Sequence, residues 1–188
     1  MRIFTDKETL KANVNGKQIF IDNDFLGLLF EHEDVLRQFI ELLPDCILVI
    51  DPFIELEFRR DVFLPKQRIL KEEFVNGPIF LSISDEQEIY KKVRTNTLLL
   101  SQIYAHQKEN DKNTASLVDL LLAARVMFAT NPSLILTGNR RDFPSCIFDT
   151  IAILNLESKN GIAQPFYLVE FNPDKFNICY KSFRKLSI

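Results

Sequence analysis

Three acids in this chain sit where a solvated carboxylate is hard to accommodate. Asp22 directly follows the apolar run Ile19-Phe20-Ile21, which puts it at the end of a strand, within reach of both a crevice and water. Asp22, Asn23 and Asp24 also fit a turn or a helix cap. Glu57 lies in "DPFIELEFRR", and at about 100° per residue it falls inside the apolar arc of Phe53, Ile54, Leu56 and Phe58. Glu55 falls beside Arg59 on the opposite, solvated side. A core-facing glutamate needs a cationic or hydrogen-bonding partner; Arg60, one turn on, or a metal ion would serve. Asp119, in "SLVDLLLAARVMFA", has Leu117, Leu120, Leu121, Ala124 and Phe128 on one flank and Val118, Leu122, Ala123 and Val126 on the other. A helix apolar all round is buried all round, and Arg125 is not at the favourable i+4 spacing. The alternative to a metal ligand there is a buried, hydrogen-bonded aspartate.

Carboxylates brought together raise one another's pKa unless a cation joins them, and an all-oxygen set suits Mg²⁺ or Mn²⁺. His32 and His106 are the two histidines, little material for zinc or for a histidine relay. A divalent ion on carboxylates would polarise a phosphoryl oxygen and activate its bound water, and a pair about 4 Å apart would also steady the leaving oxygen.

Strands alternating with helices are needed to bring these acids to one place, and the chain reads that way. "KQIFIDND" predicts a buried strand over residues 17–22, followed by helices from about Phe25 and about Glu33, the second stopped by Pro44. "CILVI" is another strand. Asp51 before Pro52 is a capping side chain ahead of a proline at the first helical position, and predicts a helix to about Arg60. "LPKQRILKEEFVNG" predicts a helix closed by Asn76 and Gly77. A longer one starts at a Ser84 or Asp85 cap, and a third covers "NTASLVDLLLAARVMFAT". "SLILT" and "DTIAILNL" are strands, and the tail adds a strand and a helix begun near Asn172 and Pro173. This alternation predicts an α/β sandwich with a mainly parallel central sheet flanked by helices, whose ligands bind beyond the carboxyl ends of the strands. "IDND" and "LTGN" both fall there.

Composition narrows the classes further. At 188 residues, 46% hydrophobic and 26% charged, the chain predicts one globular domain. A net charge of -3 excludes binding to nucleic acid by bulk electrostatics alone. Local basic patches remain: Arg59 and Arg60; Lys91, Lys92 and Arg94; Arg140 and Arg141; Lys181, Arg184 and Lys185. Cys46, Cys146 and Cys179 form no CxxC, so neither a zinc knuckle nor a disulfide framework is expected. The polar N-terminus lacks an apolar leader, and "LVDLLLAARVMFA" is too short to span a bilayer. A cytoplasmic protein without membrane contact is the expectation.

Four stretches, in order, resemble a PIN-domain nuclease over roughly residues 18–155. "IFIDNDFLGLLF" is similar to that family's opening strand and first aspartate, placed on Asp22. "ILVIDPFIELEF" resembles the second strand and glutamate-bearing helix, with Glu57 matching better than Glu55. "SLVDLLLAA" is similar to the aspartate-bearing helix, placing that acid on Asp119. "LILTGNRRDF" resembles the last signature. The resemblance implies a PIN-like three-layer sandwich in a single domain, with residues from about 156 to 188 as a C-terminal strand–helix appendage. It implies a Mg²⁺- or Mn²⁺-dependent endoribonuclease acting on RNA, as in toxins of bacterial toxin–antitoxin pairs, with an antitoxin and a second copy of the chain as partners. Asp22, Glu57 and Asp119 would hold the metal. Asn139 and Asp142 would complete the catalytic shell. Thr137, Arg140 and Arg141 would meet substrate, with "RR" turning outward before Asp142 starts a short helix. Asn23 stands where Thr or Ser is usual, and Asn139 where many members carry Asp. Either the Asn139 amide oxygen contacts the ion or its water, or Asp142 takes over.

Two other readings compete. In a haloacid-dehalogenase-like phosphatase, Asp22 would be the nucleophile, Asp24 the acid, and Thr137 a phosphate ligand, but "DFLG" lacks the expected glycine-threonine, and Glu57 and Asp119 have no role. A PIN-like fold without catalysis, serving as a binding module, is the third.

Overall fold

The apolar runs "QIFI", "ILVI" and "SLILT" become adjacent parallel strands, because each is buried on both faces and strands of that kind pair inside a sheet. The computed structural model describes residues 1–60, 62, 64–83, 87–107, 115–158 and 160–186. In chain order it contains β1 (Arg2–Phe4), α1 (Lys7–Val14), β2 (Gln18–Ile21), α2 (Asn23–Glu31), α3 (Glu33–Leu42), β3 (Ile47–Ile50), α4 (Pro52–Arg60) and α5 (Pro65–Val75). There follow β4 (Phe80–Ser82), α6 (Gln87–Gln107), α7 (Leu117–Met127), β5 (Ser133–Thr137), a 3-10 turn (Arg140–Asp142), β6 (Phe148–Glu157), β7 (Ala163–Phe171) and α8 (Pro173–Leu186).

The fold is α/β, built on a seven-stranded mixed sheet in the order β1-β6-β7-β5-β2-β3-β4. Strands β5, β2, β3 and β4 are parallel; β7, β6 and β1 add antiparallel pairings. The expected mainly parallel sheet is therefore parallel in one part and antiparallel in the other. The C-terminal strand, expected in an appendage, instead lies inside the sheet, bonded on one side to β5 and on the other to β6. Its sequence, "AQPFYLVEF", carries Phe166, Leu168 and Val169 fully buried, which a peripheral strand could not do. The N-terminal β1 and α1 and the short β4 were not expected; three-residue strands are too short to show a period.

Phenylalanine ties the layers together. Phe30, Phe58, Phe74 and Phe80, from α2, α4, α5 and β4, meet edge to face at centroid distances of 5.2–5.5 Å, with Phe58 and Phe74 tilted at 6.2 Å. Phe25 stands between Phe39 and Phe166 at 5.1 and 4.8 Å. The expected helix over "NTASLVDLLLAARVMFAT" begins later, at Leu117; Asn113 and Thr114 lie outside the described residues, as do Ser84 and Asp85, the expected caps of α6.

One polar contact crosses the core. Asp51 is 1% exposed; its Oδ1 accepts the Phe53 N–H at 2.9 Å, capping α4, and its Oδ2 accepts Arg125 Nε at 2.8 Å. The capping role was expected; the arginine on α7 was not. Truncating one member of a buried pair leaves the other charge uncompensated. Arg125→Met is expected to lower the unfolding free energy by about 3–5 kcal/mol in urea titrations; a loss under about 1 kcal/mol would show the pair to be incidental.

Candidate active site

Asp22 follows β2 and Thr137 ends β5, and the two strands are parallel neighbours from which the chain leaves in opposite directions across the sheet. That makes their carboxyl ends a topological switch point, where α/β sheets open a crevice. The pairing continues past β2, with Asp22 N–H donating to the Leu136 carbonyl at 3.0 Å. Asp22 caps α2 and is buried, accepting the Asn23 N–H at 2.7 Å on Oδ1 and the Thr137 hydroxyl at 2.7 Å on Oδ2. The cap and the site residue are thus one and the same.

Asp24, in the first turn of α2, reaches across to β5. Its Oδ2 accepts the Gly138 N–H at 2.8 Å and its Oδ1 the Phe25 N–H at 2.7 Å. Gly138 is required by this approach: a Cβ there would overlap the Asp24 carboxylate and press on Phe166 at 3.1 Å. Asp142 closes the 3-10 turn and is largely buried, with Oδ2 accepting Asn139 Nδ2 at 2.6 Å. Asp119 supplies the fourth carboxyl, in hydrogen-bonding contact with that of Asp142.

The expectation for Asp119 changes in its reason. It does not sit mid-helix in an apolar surround; it is the third residue of α7, half-buried, and forms a capping box with Ser116: Ser116 N–H to Asp119 Oδ2 at 2.8 Å and Asp119 N–H to Ser116 Oγ at 3.2 Å. Leu117, expected to be buried, is 66% exposed, and Phe128 is exposed as well.

These four aspartates feel one another. Burial, then the charges of Asp24 and Asp119, pushes the Asp22 carboxyl up to about 8, against the Thr137 hydrogen bond. Burial, then Asp119 and Asp24, pushes Asp142 up to about 6. Partial burial of its carboxyl and the Asp119 charge raise Asp24, opposed by the Gly138 and Phe25 N–H groups. Among the described residues, no Lys, Arg or His forms an ion pair with any of the four. Nor do three His, Cys, Asp or Glu side chains among them stand at the spacing of a formed ion site. The donors nonetheless suit a hard divalent cation: all are carboxylate oxygens, and each accepts few enough hydrogen bonds to leave lone pairs for a ligand.

The remaining expected residues are distributed around this group. Glu57 is half-buried, with Arg60 Nη2 at 3.9 Å from its Oε1, and lines a cleft of about 590 Å³ with Asn23, Asp24, His32 and Lys71. Leu56, placed by the wheel in the apolar arc, is 68% exposed, and the Glu55–Arg59 pair, expected in solvent, packs against Glu72 of α5. Thr137, expected to meet substrate, is fully buried; its hydroxyl orients Asp22 and accepts the Asn139 N–H at 3.0 Å. That burial also removes the phosphate contact a haloacid-dehalogenase-like reading needs. Arg140 is anchored, donating to Thr150 Oγ1 at 2.7 Å and the Phe148 carbonyl at 3.0 Å, whereas Arg141 is exposed. Asp142 ends the short helix it was expected to start. Asp24 and Tyr104, the latter on α6 beside Asp119 and Asp142, were not expected in the site.

No family model, curated protein or solved structure matches this chain. The likeness of its four stretches to PIN-domain nucleases therefore stands on their residues alone. Among the described residues, no helix is long and apolar enough to cross a membrane.

A carboxyl whose folded pKa exceeds its unfolded value binds more protons in the native state, so native stability falls as pH rises between the two values. Without divalent cations, the unfolding free energy is expected to decline from about pH 4 towards pH 8, through Asp142 first and Asp22 over the whole range. Asp22→Asn should flatten this slope and exceed wild type in stability at the alkaline end, measured by denaturant titration across pH. A wild-type slope of the opposite sign would contradict the crowding of these acids.

Proposed function

We propose that this chain is a Mg²⁺- or Mn²⁺-dependent endoribonuclease with a PIN-like three-layer fold. The observation that carries the reading is the convergence of Asp22, Asp24, Asp119 and Asp142 at the carboxyl ends of β2 and β5, with no cationic side chain among the described residues paired to them. A group of acids with no internal counter-charge is costly to maintain unless it serves an external cation.

Asp22, Asp119 and Asp142 would hold the ion, with Asp24 at the rim, and the ion would neutralise a phosphoryl oxygen and activate water. The chain's own part is positioning. The Thr137 hydroxyl holds Asp22, the Gly138 N–H holds Asp24, and the Asn139 amide holds Asp142. Asn139 thus spends its amide nitrogen on Asp142, which favours Asp142 rather than Asn139 as the fourth acid. Glu57 and the cleft it shares with Asp24 offer a path for a strand of RNA, and exposed Arg141 offers a backbone phosphate contact.

An RNA oligonucleotide incubated with Mn²⁺ and wild-type protein should be cleaved, and Asp22→Asn and Asp142→Asn should each slow cleavage on the order of a hundredfold. Equal cleavage by wild type and Asp22→Asn would sink the nuclease reading. Asn139→Ala, acting through Asp142, is expected to cost about tenfold in single-turnover rate. Calorimetric titration separates the binding-module alternative, which predicts no heat on adding millimolar Mn²⁺.

A further inference from the structure

Tyr104 ends in a hydroxyl that is enclosed by protein and has no hydrogen-bond partner among the described residues. A buried phenol normally finds one. The groups around it are Cys146, Asp119, Asp142 and Arg140. Each of the three charged neighbours is engaged elsewhere: Asp119 with the Ser116 N–H, Asp142 with the Asn139 amide, and Arg140 with Thr150 and the Phe148 carbonyl. Burial holds the phenol well above its ordinary pKa, so it stays an O–H donor. An uncommitted donor therefore points into the site from α6, a different element from those that carry the acids.

We infer that Tyr104 is a substrate-contacting residue whose hydroxyl donates to a non-bridging oxygen of an RNA phosphodiester bound at Asp119 and Asp142. The inference rests on the nuclease reading, since an anionic oxygen enters a ring of carboxylates only with a cation beside it. A phosphoryl oxygen fits better than a neutral carbonyl, because the Arg140 guanidinium faces the same spot and favours negative charge. A purely structural tyrosine would have its hydroxyl satisfied by the fold.

The test is Tyr104→Phe, which removes the hydroxyl and keeps the ring. Binding of a fluorescently labelled single-stranded RNA is read by anisotropy with Ca²⁺ in place of the hydrolytic ion, Mn²⁺ binding by calorimetry, and folding by thermal melting. The expected result is RNA affinity lowered about tenfold, Mn²⁺ affinity unchanged, and a melting temperature equal to or above that of wild type. Unchanged RNA affinity overturns the assignment of Tyr104 while leaving a nuclease that still cleaves. A lowered melting temperature also overturns it, by showing the hydroxyl to be structural. If wild type binds neither Mn²⁺ nor RNA, the nuclease reading falls and the Tyr104 assignment with it.

Discussion

The buried pair of Asp51 and Arg125 is the joint on which the placement of the acids depends. Asp51 ends the turn after β3, starts α4 through the Phe53 N–H, and grips Arg125 on α7. Helix α7 carries Asp119 in its first turn, and α4 carries Glu57. The pair therefore sets where two of the acid-bearing helices lie relative to the strand ends that carry Asp22 and Thr137. Arg125 sits two turns along α7 from Asp119, so a shift at the pair would move Asp119 relative to Asp142. Aliphatic packing alone could slide along the helix; a hydrogen-bonded charge pair in a dry interior cannot do so cheaply.

What this joint holds together is intrinsically repulsive. Four carboxyls at one edge oppose one another, and the donors among the described residues that answer them are short and neutral: a threonine hydroxyl, an asparagine amide and backbone N–H groups. Such donors fix direction without cancelling charge. Hydrogen bonds to neutral donors are weaker than charge-assisted ones, so the electrostatic cost stays in the folded protein. The N-termini of α2 and α7 contribute positive dipole ends, which offset part of it over the first turn, where Asp24 and Asp119 stand. The site is thus oriented by partners that leave its negative potential intact.

How much of this was legible in the residues follows from the range of each interaction. Asp22 at a strand end could be read because an uninterrupted apolar triplet precedes it, and Asp51 as a cap because Pro52 follows. Asp119 was singled out through its apolar neighbours, yet its position is explained by Ser116 three residues earlier, a capping-box spacing present in the sequence. Leu56 and Leu117 misled because a helical wheel assigns an apolar residue to the core without knowing how far the neighbouring element extends. The Asp51–Arg125 pair joins residues 74 apart, and the insertion of β7 between β5 and β6 depends on pairing order; no local pattern encodes either. The membership of Asp24 depends on Gly138 having no Cβ, a contact between the two stretches "DND" and "TGN" that each reads as a simple turn.

Asparagine at position 139 then has a different meaning from a missing acid. An aspartate there would place a further negative charge beside Asp142, whose carboxyl is already raised by burial and by Asp119. The amide instead gives that carboxyl a donor, and its own backbone N–H is tied to the same Thr137 hydroxyl that holds Asp22. One residue thereby couples the buried acid on β2 to the acid in the 3-10 turn through two hydrogen bonds. The orphaned Tyr104 hydroxyl lies on the far side of Asp142, where no such donor serves. Selection for stability alone would satisfy that hydroxyl or replace it with phenylalanine. Its persistence next to an equally uncompensated group of acids places both departures from the stable optimum at one location, as expected where the fold gives up stability to bind something.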